Sequence, residues 1–405
     1  MKRRIGLGLA FALVLLAVLE AGSAAALLLL ERRFDIVYSG TQRFTLLDHQ
    51  RQALEAMLAG MAHYSDYDPE LGWTIMPNGR SELYRANGQG IRSDSDYAAL
   101  PPPGVLRIAA FGDSFTHGTD VSNEDTWPAI VEDLSPQTEA LNFGVGAYGL
   151  DQALLRYRRD GRTFRPHVVL IGFLSENINR SVSVFRPFYV PRTGAPLAKP
   201  RFRFDGAEFV LQPNPLPTRG SYRALIDGEA GIVERLGRHD FFYQRGFRRY
   251  PADFSFSARL AYTAYQHLAL QGPFRDVPGG RVFNERSEAY AVTRRLFDDF
   301  YAEVVADGAV PVIVLFPHQA DLRRFKGSGT RTYSPLSEHF RARGYRYLDM
   351  LDGITRYESI KGEGSMFVKT GGHYSRAGNE MVARTVLDYL REEGLDVPQG
   401  MRGKD

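Results

Sequence analysis

The chain has 405 residues, 44% of them hydrophobic and 24% charged, which is enough for a sizeable core in one large decorated domain or two smaller ones and unlike a disordered or fibrous sequence. Its formal net charge of +3 is small and its Lys and Arg are scattered, so it carries no nucleic-acid footprint. It has no cysteine, which excludes a disulfide framework, a thiolate metal site and a cysteine nucleophile.

In chain order, the first element is apolar. Lys2, Arg3 and Arg4 precede a run from Ile5 to Leu30, interrupted by Glu20 and Ala21-Gly22-Ser23 and closed by Glu31-Arg32-Arg33. At ~1.5 Å per residue, this run crosses a ~30 Å hydrocarbon core as a helix. A cleaved signal peptide is the rival reading, with Ile5 to Leu19 as apolar region and Ala21 to Ala26 as cleavage zone. Cleavage would leave Leu27 to Leu30 exposed at a new terminus, which favours an uncleaved anchor. The leading positive charges favour a cytoplasmic N-terminus, with Arg32 and Arg33 weakening the bias. Either way, the remainder is expected outside the cytoplasm, in the anchored case as a single-pass inner-membrane protein facing the periplasm.

Phe44 to Met61 reads as an amphipathic helix with Leu47, Leu54, Met57 and Leu58 on one stripe, a stalk or packing helix. Tyr67 to Tyr97 is turn-rich and suggests short hairpins, and Leu100-Pro101-Pro102-Pro103-Gly104 punctuates the chain before a different pattern. Short apolar runs then alternate with helical stretches. The expected strands are Leu106 to Phe111, Glu139 to Phe143, His167 to Phe173, Val310 to Phe316 and Tyr345 to Leu348. Helices are expected around Pro128 to Leu134, Asp151 to Arg159, Glu285 to Ala306 and Arg376 to Glu393, the last capped by Ser375. This is the signature of an α/β fold, a flavodoxin-like doubly wound parallel sheet whose ligands sit beyond the carboxyl ends of the strands. Between Phe185 and about Val282 the chain is rich in Arg, Pro, Phe and Tyr without a sustained period. A connection of that length is rarely structureless, so it is expected to be a lid or substrate-binding insertion, or a decoration supporting oligomerisation. The expected organisation is an anchor (1–33), a stalk helix and turn-rich segment (34–103), a first half-core (104–184), the insertion (185–283), a second half-core (284–395) and a tail (396–405).

Phe111-Gly112-Asp113-Ser114-Phe115-Thr116 comes directly after the first core strand. A serine at a strand-to-helix turn has its hydroxyl presented at the carboxyl edge of the sheet, near a helix N-terminus that favours developing negative charge. His373, in Gly371-Gly372-His373-Tyr374-Ser375, stands just ahead of the last amphipathic helix, where it can reach across the sheet top and accept that hydroxyl's proton. His63, His117, His318 and His373 form no metal-ligand spacing, and the Asp residues form no calcium loop, so neither metal nor cofactor is expected.

With these motifs, the sequence resembles the SGNH/GDSL hydrolase family, over roughly Leu106 to Phe173 and Asn177, and again over Val310 to Tyr389. Thr126-Trp127-Pro128 is similar to the segment just after the first family block in many members. The resemblance implies Ser114 as nucleophile within the Asp113-Ser114 block, and an oxyanion-hole backbone N–H in the loop Asn142-Phe143-Gly144-Val145-Gly146-Ala147. By alignment from Asn142 that donor is Ala147, beside Gly146, where the family has glycine; the N–H survives the change unless the position needs a positive φ. It implies Asn177 as the oxyanion-hole amide, with Asn179 as alternative, and His373 as general base. The family's acid stands three residues before this histidine, or two in some branches, and those positions are Thr370 and Gly371 here. A backbone carbonyl or Glu176 is left to orient the imidazole, with Asp349 and Asp352 as more remote possibilities, and a Ser-His dyad is the expected mechanism. Three functions fit. One is an esterase removing a small acyl group, such as acetyl, from an envelope or extracellular glycan or a small ester. The second is an O-acyltransferase with a sugar hydroxyl as acceptor, and the third a catalytically silent glycan-binding or assembly protein. Oligomeric state is left open.

Overall fold

The computed structural model describes residues 2–34, 36, 38, 44–194, 196–247, 251–271, 282–361, 366–369 and 372–397. Among the elements that position the site, helix α1 (Lys2–Phe34) is followed by α2 (Asp48–Leu58), β1 (Leu106–Phe111), α3 (Ser114–His117), α4 (Trp127–Leu134) and β2 (Thr138–Asn142). Then come α5 (Leu150–Arg156), β3 (Val168–Leu174), α6 (Asn177–Arg180), α7 (Phe256–Gln271), α8 (Glu288–Ala306) and β4 (Val310–Phe316). The chain closes with α9 (Gln319–Ser328), α10 (Ser334–Arg343), β5 (Tyr347–Asp349), α11 (Met350–Lys361) and α12 (Arg376–Glu392).

The five strands form one parallel sheet in the order β2-β1-β3-β4-β5, the flavodoxin-like order expected from the alternation. Parallel register runs through Ile108↔Val168 and Val168↔Val310 at the sheet centre. Both β1 and β3 are buried along their whole length, because helices cover both faces and every side chain of a central strand meets one. On one face, Phe111, Phe143, Leu154, Phe297 and Phe300 pack with α5 and α8. On the other, Ile108, Val314, Trp127, Ile354, Val382 and Leu390 pack with α4, α11 and α12.

Four features differ from the sequence expectation. Helix α2 spans Asp48–Leu58 and not the whole of Phe44 to Met61. The helix expected to Arg159 ends at Arg156 and passes into a π turn over Tyr157–Gly161, where Gly161 runs against the Phe111 ring. The last strand begins two residues late, at Tyr347. Helices α9, α10 and α11 were not anticipated: α9 and α10 are polar, Arg-rich stretches, and the apolar Met350, Leu351 and Ile354 of α11 follow directly on the last short strand.

The insertion contains an antiparallel hairpin, Arg201–Asp205 with Glu208–Gln212, and several short helices. Its root is fixed by buried Asp240, whose Oδ2 accepts the N–H groups of Val184 and Phe185, while Oδ1 caps the next helix at Phe242 and Tyr243. Leu54 and Met57 of α2 share a cluster with Phe185, Phe188, Leu216 and Tyr222, so this helix packs on the insertion rather than standing free as a stalk. Residues Gly6–Phe34 of α1 are long and apolar enough to cross a membrane. Glu20 of that helix accepts hydrogen bonds from Ser255 and from the N–H of Phe256, at the start of α7.

Candidate active site

The site is assembled where β1, β2 and β3 end. Beyond Phe111 the chain bends through Gly112, where any Cβ would lie 2.2 Å from Thr116 Oγ1. Asp113, fully buried, caps the single turn of α3: its Oδ1 accepts the Phe115 N–H at 2.8 Å. Burial pushes its carboxyl upward in pKa, against the nearby Arg180 charge. Ser114 is thereby the first residue of α3, with its N–H outside the helical ladder.

The turn after α3 is unusual. Gly118 (φ 77°) is followed after one residue by Asp120, also left-handed at φ 75°. Asp and Asn tolerate this region better than other side chains. It turns the carboxylate back over the sheet, where Asp120 Oδ2 meets His373 Nδ1 at 2.7 Å. His373 is in turn carried by the loop ahead of α12, tied by Val368 N–H to His373 O (2.8 Å) and by the Ser375 cap on Gly378. Its ring lies 5.2 Å from that of Phe115, next to Ser114. With Nδ1–H donated to the carboxylate, Nε2 is left as the basic nitrogen.

The sequence reading left His373 without a carboxylate partner; the structure places one on it, Asp120, from the loop that follows Ser114. The carboxylates considered from the sequence are engaged elsewhere. Glu176 pairs with Arg180 (2.9 Å) and Arg186 (3.6 Å); burial raises its pKa, but these two cations outweigh that and hold it below the usual carboxylate range. Asp349 accepts from Tyr333 Oη at 2.6 Å and pairs with Arg331, and Asp352 also pairs with Arg331. Thr370, like Gly371, lies outside the described residues.

Residues from the turn-rich segment before β1 hold the Asp120 loop. Arg92, 4% exposed, donates to the carbonyls of His117 (2.7 Å), Gly118 (2.6 Å) and Val121 (2.6 Å), bracketing Asp120 on both sides. The Asp120 N–H donates to Tyr84 Oη at 3.2 Å. Tyr64 Oη meets His117 Nε2 at 2.6 Å; burial and the Arg92 charge hold that imidazole neutral, well below its ordinary pKa.

The β2 loop is laced to the same turn. Phe143 N–H donates to Ala110 O, Val145 N–H to Gly112 O, and Asn142 Nδ2 to His117 O. A Cβ on Gly144 would stand 2.2 Å from the His117 backbone nitrogen, so the loops touch main chain to main chain. Ala147 sits at φ 67°, a position that does require the left-handed region, and this chain accepts that strain with an alanine. Among the described residues no backbone hydrogen bond uses its N–H. Trp73 Nε1 donates to Gly146 O (3.0 Å) and Tyr148 Oη to Trp73 O (2.5 Å), bracing the loop from the small hairpin Ser65–Asp68 with Gly72–Ile75.

Ser114, Gly146, Ala147, Glu176 and His373 line one open cavity of about 750 Å³. Asn177, on α6, is buried beside Asp113 and is not among the residues lining that cavity; neither its Oδ1 nor its Nδ2 is hydrogen-bonded at ordinary distance. Asn179 likewise has a buried, unbonded Oδ1. Among the described residues no three His, Asp or Glu side chains converge as metal ligands do.

No protein-family model and no curated protein matches the chain. Among solved structures, it is similar to a lipase/acylhydrolase from Enterococcus faecalis at 12% identity and TM-score 0.37, covering 73% of this chain and 99% of that one. It is similar to a member of the lipolytic G-D-S-L family from Veillonella parvula at 10% identity and TM-score 0.36, covering 71% and 99%. A two-domain esterase active on acetylated mannans is similar at 13% identity and TM-score 0.36, covering 74% of this chain and 53% of that one.

Proposed function

We propose that this protein is a serine esterase whose catalytic residues are Ser114, His373 and Asp120. The observation that carries the reading is the 2.7 Å contact between His373 Nδ1 and Asp120 Oδ2, at the cavity that Ser114 and His373 both line. His373 Nε2 takes the Ser114 proton as Oγ attacks the ester carbonyl carbon, and Asp120 stabilises the imidazolium that forms. The carbonyl oxygen's negative charge falls to the N–H groups of Ser114 and Ala147, with the Asn177 amide as third donor once it turns toward the cavity. The ester C–O bond then breaks, the alcohol leaves with the proton from His373, and water repeats the sequence to release the acid and restore Ser114.

The finer reading is a small acyl group, such as acetyl, on an envelope or extracellular glycan. The apolar helix α1, led by Lys2, Arg3 and Arg4, supports a site held at a membrane on the extracytoplasmic side, and the open cavity, whose wall sets Arg180, Arg186, Glu176, His318 and Gln319 among Phe115, Leu174, Val190 and Ala320, suits a polar substrate carrying a small apolar acyl group. Asp120 beside His373 favours the esterase over the silent binding-protein alternative, for which the missing acid was the support. Turnover of p-nitrophenyl acetate by the full chain in detergent tests the proposal. Hydrolysis that disappears in Ser114→Ala supports it; turnover unchanged in that variant, or absent from folded wild-type protein, refutes it.

A further inference from the structure

The cavity that holds Ser114 and His373 is electrically lopsided. Its wall includes Arg180, Arg186 and Arg323 against a single carboxylate, Glu176. Arg180 and Arg186 share that carboxylate, Arg180 at 2.9 Å and Arg186 at 3.6 Å; Asp113 also pairs with Arg180 at 3.5 Å and reaches Arg186 only at longer range. Asp321, the acid closest in sequence to Arg323, is occupied with Ser175 and His318. Arg323 is exposed at the cavity rim and pairs with no carboxylate among the described residues. Arg186 is 19% exposed and its Nε is buried without a hydrogen bond, so its guanidinium is partly desolvated and under-neutralised.

Arg186 and Arg323 approach the cavity from different parts of the chain. Arg186 opens the insertion, which also contributes Val190, Thr193 and Gly194 to the wall, whereas Arg323 projects from α9 just beyond β4. Planar guanidinium groups with spare donors in a partly dry cleft recognise oxyanions in preference to neutral hydroxyls. We infer that Arg186 and Arg323 form a subsite for an oxyanion, a carboxylate or phosphate, carried by the ester substrate, so that the natural substrate is an acidic rather than a neutral glycan. The place of this subsite relative to the scissile ester rests on the serine-esterase reading; the subsite itself does not.

Binding to full-length Ser114→Ala protein separates the two. Trigalacturonate supplies the carboxylate, a glycerol phosphate trimer the phosphate, and xylotriose the neutral control, each titrated calorimetrically at low and at physiological salt. One or both anionic ligands should bind, weaken with salt and weaken by about tenfold in Arg323→Gln and in Arg186→Gln, while xylotriose binds more weakly than either. The anionic arm that responds names the source of the charge. Arg323 is exposed and its loss leaves the core intact, so that variant carries the test even if Arg186→Gln misfolds. Equal binding of anionic and neutral trisaccharides, no anionic binding, or anionic binding insensitive to Arg323→Gln would overturn the inference. Arg-dependent binding alongside absent p-nitrophenyl acetate turnover would sustain the subsite and sink the esterase reading.

Discussion

Replacing Asp120 with asparagine isolates the carboxylate's charge. Asparagine tolerates the φ of 75° at this position and keeps an oxygen able to accept the His373 Nδ1–H, so the loop and the ring orientation survive. What is lost is the attraction between the carboxylate and the imidazolium formed as Ser114 gives up its proton. At a charge separation of ~4 Å and an effective dielectric near 20, that attraction is roughly 4 kcal/mol. The side chains are 25% and 22% exposed, so solvent screens part of it. About 2–3 kcal/mol remains, equivalent to a fall of roughly 30- to 150-fold in kcat. Initial rates of p-nitrophenyl acetate hydrolysis should show that fall with KM within about threefold, since the charge acts in the transition state and not in substrate binding. Thermal unfolding should move by only a few degrees. A loss below about threefold in folded protein would refute the assignment of Asp120, as would full additivity with His373→Ala, because residues acting as one unit are non-additive.

Three further outcomes are expected, two at the site and one at a buried carboxylate away from it. Arg92→Lys cannot reproduce a fork that serves three carbonyls, so it should lower stability by about 2 kcal/mol in denaturant unfolding and reduce kcat, the Asp120 loop being what it holds. Ala147→Gly relieves a left-handed alanine and should raise stability by up to about 1 kcal/mol without abolishing turnover, because the backbone N–H remains. Burial raises Asp349 from 3.8 to about 6. The folded chain therefore holds a proton between those values that the unfolded chain has lost, and stability declines as pH rises through that window, by about 3 kcal/mol at most. Asp349→Asn should flatten that segment of the stability-versus-pH curve, and an unchanged slope would count against the shift.

The sheet was legible in sequence because its strands are buried on both faces, so apolar runs such as Val168 to Leu174 and Val310 to Phe316 stand out against their flanks. Ser114 and His373 were legible for a related reason: each adjoins a strong element that fixes its place at the sheet edge. Asp120 was not. Only six residues beyond Ser114, it is brought to His373, 253 residues away in sequence, by two left-handed residues that no periodicity reports. Its one visible trace is an aspartate two residues after a glycine that ends a one-turn helix, a pattern common in ordinary turns. The roles of Arg92, Tyr84 and Trp73 were equally hidden. They lie in a polar, turn-rich segment read from sequence as short hairpins, and local pairing of that kind does not report which side chains reach across to grip the Asp120 loop and the β2 loop. The strain at Ala147 was anticipated only as a condition, since φ cannot be read from an alanine.

Activation of the Ser114 hydroxyl by His373 and Asp120 is tested most directly by reaction of the full chain with a fluorophosphonate, with the adduct mapped by mass spectrometry. A single covalent adduct is expected on the peptide containing Ser114, lost in Ser114→Ala and His373→Gln and slowed in Asp120→Asn. Folded protein that takes up no label, or takes it up on another residue, would contradict that activation.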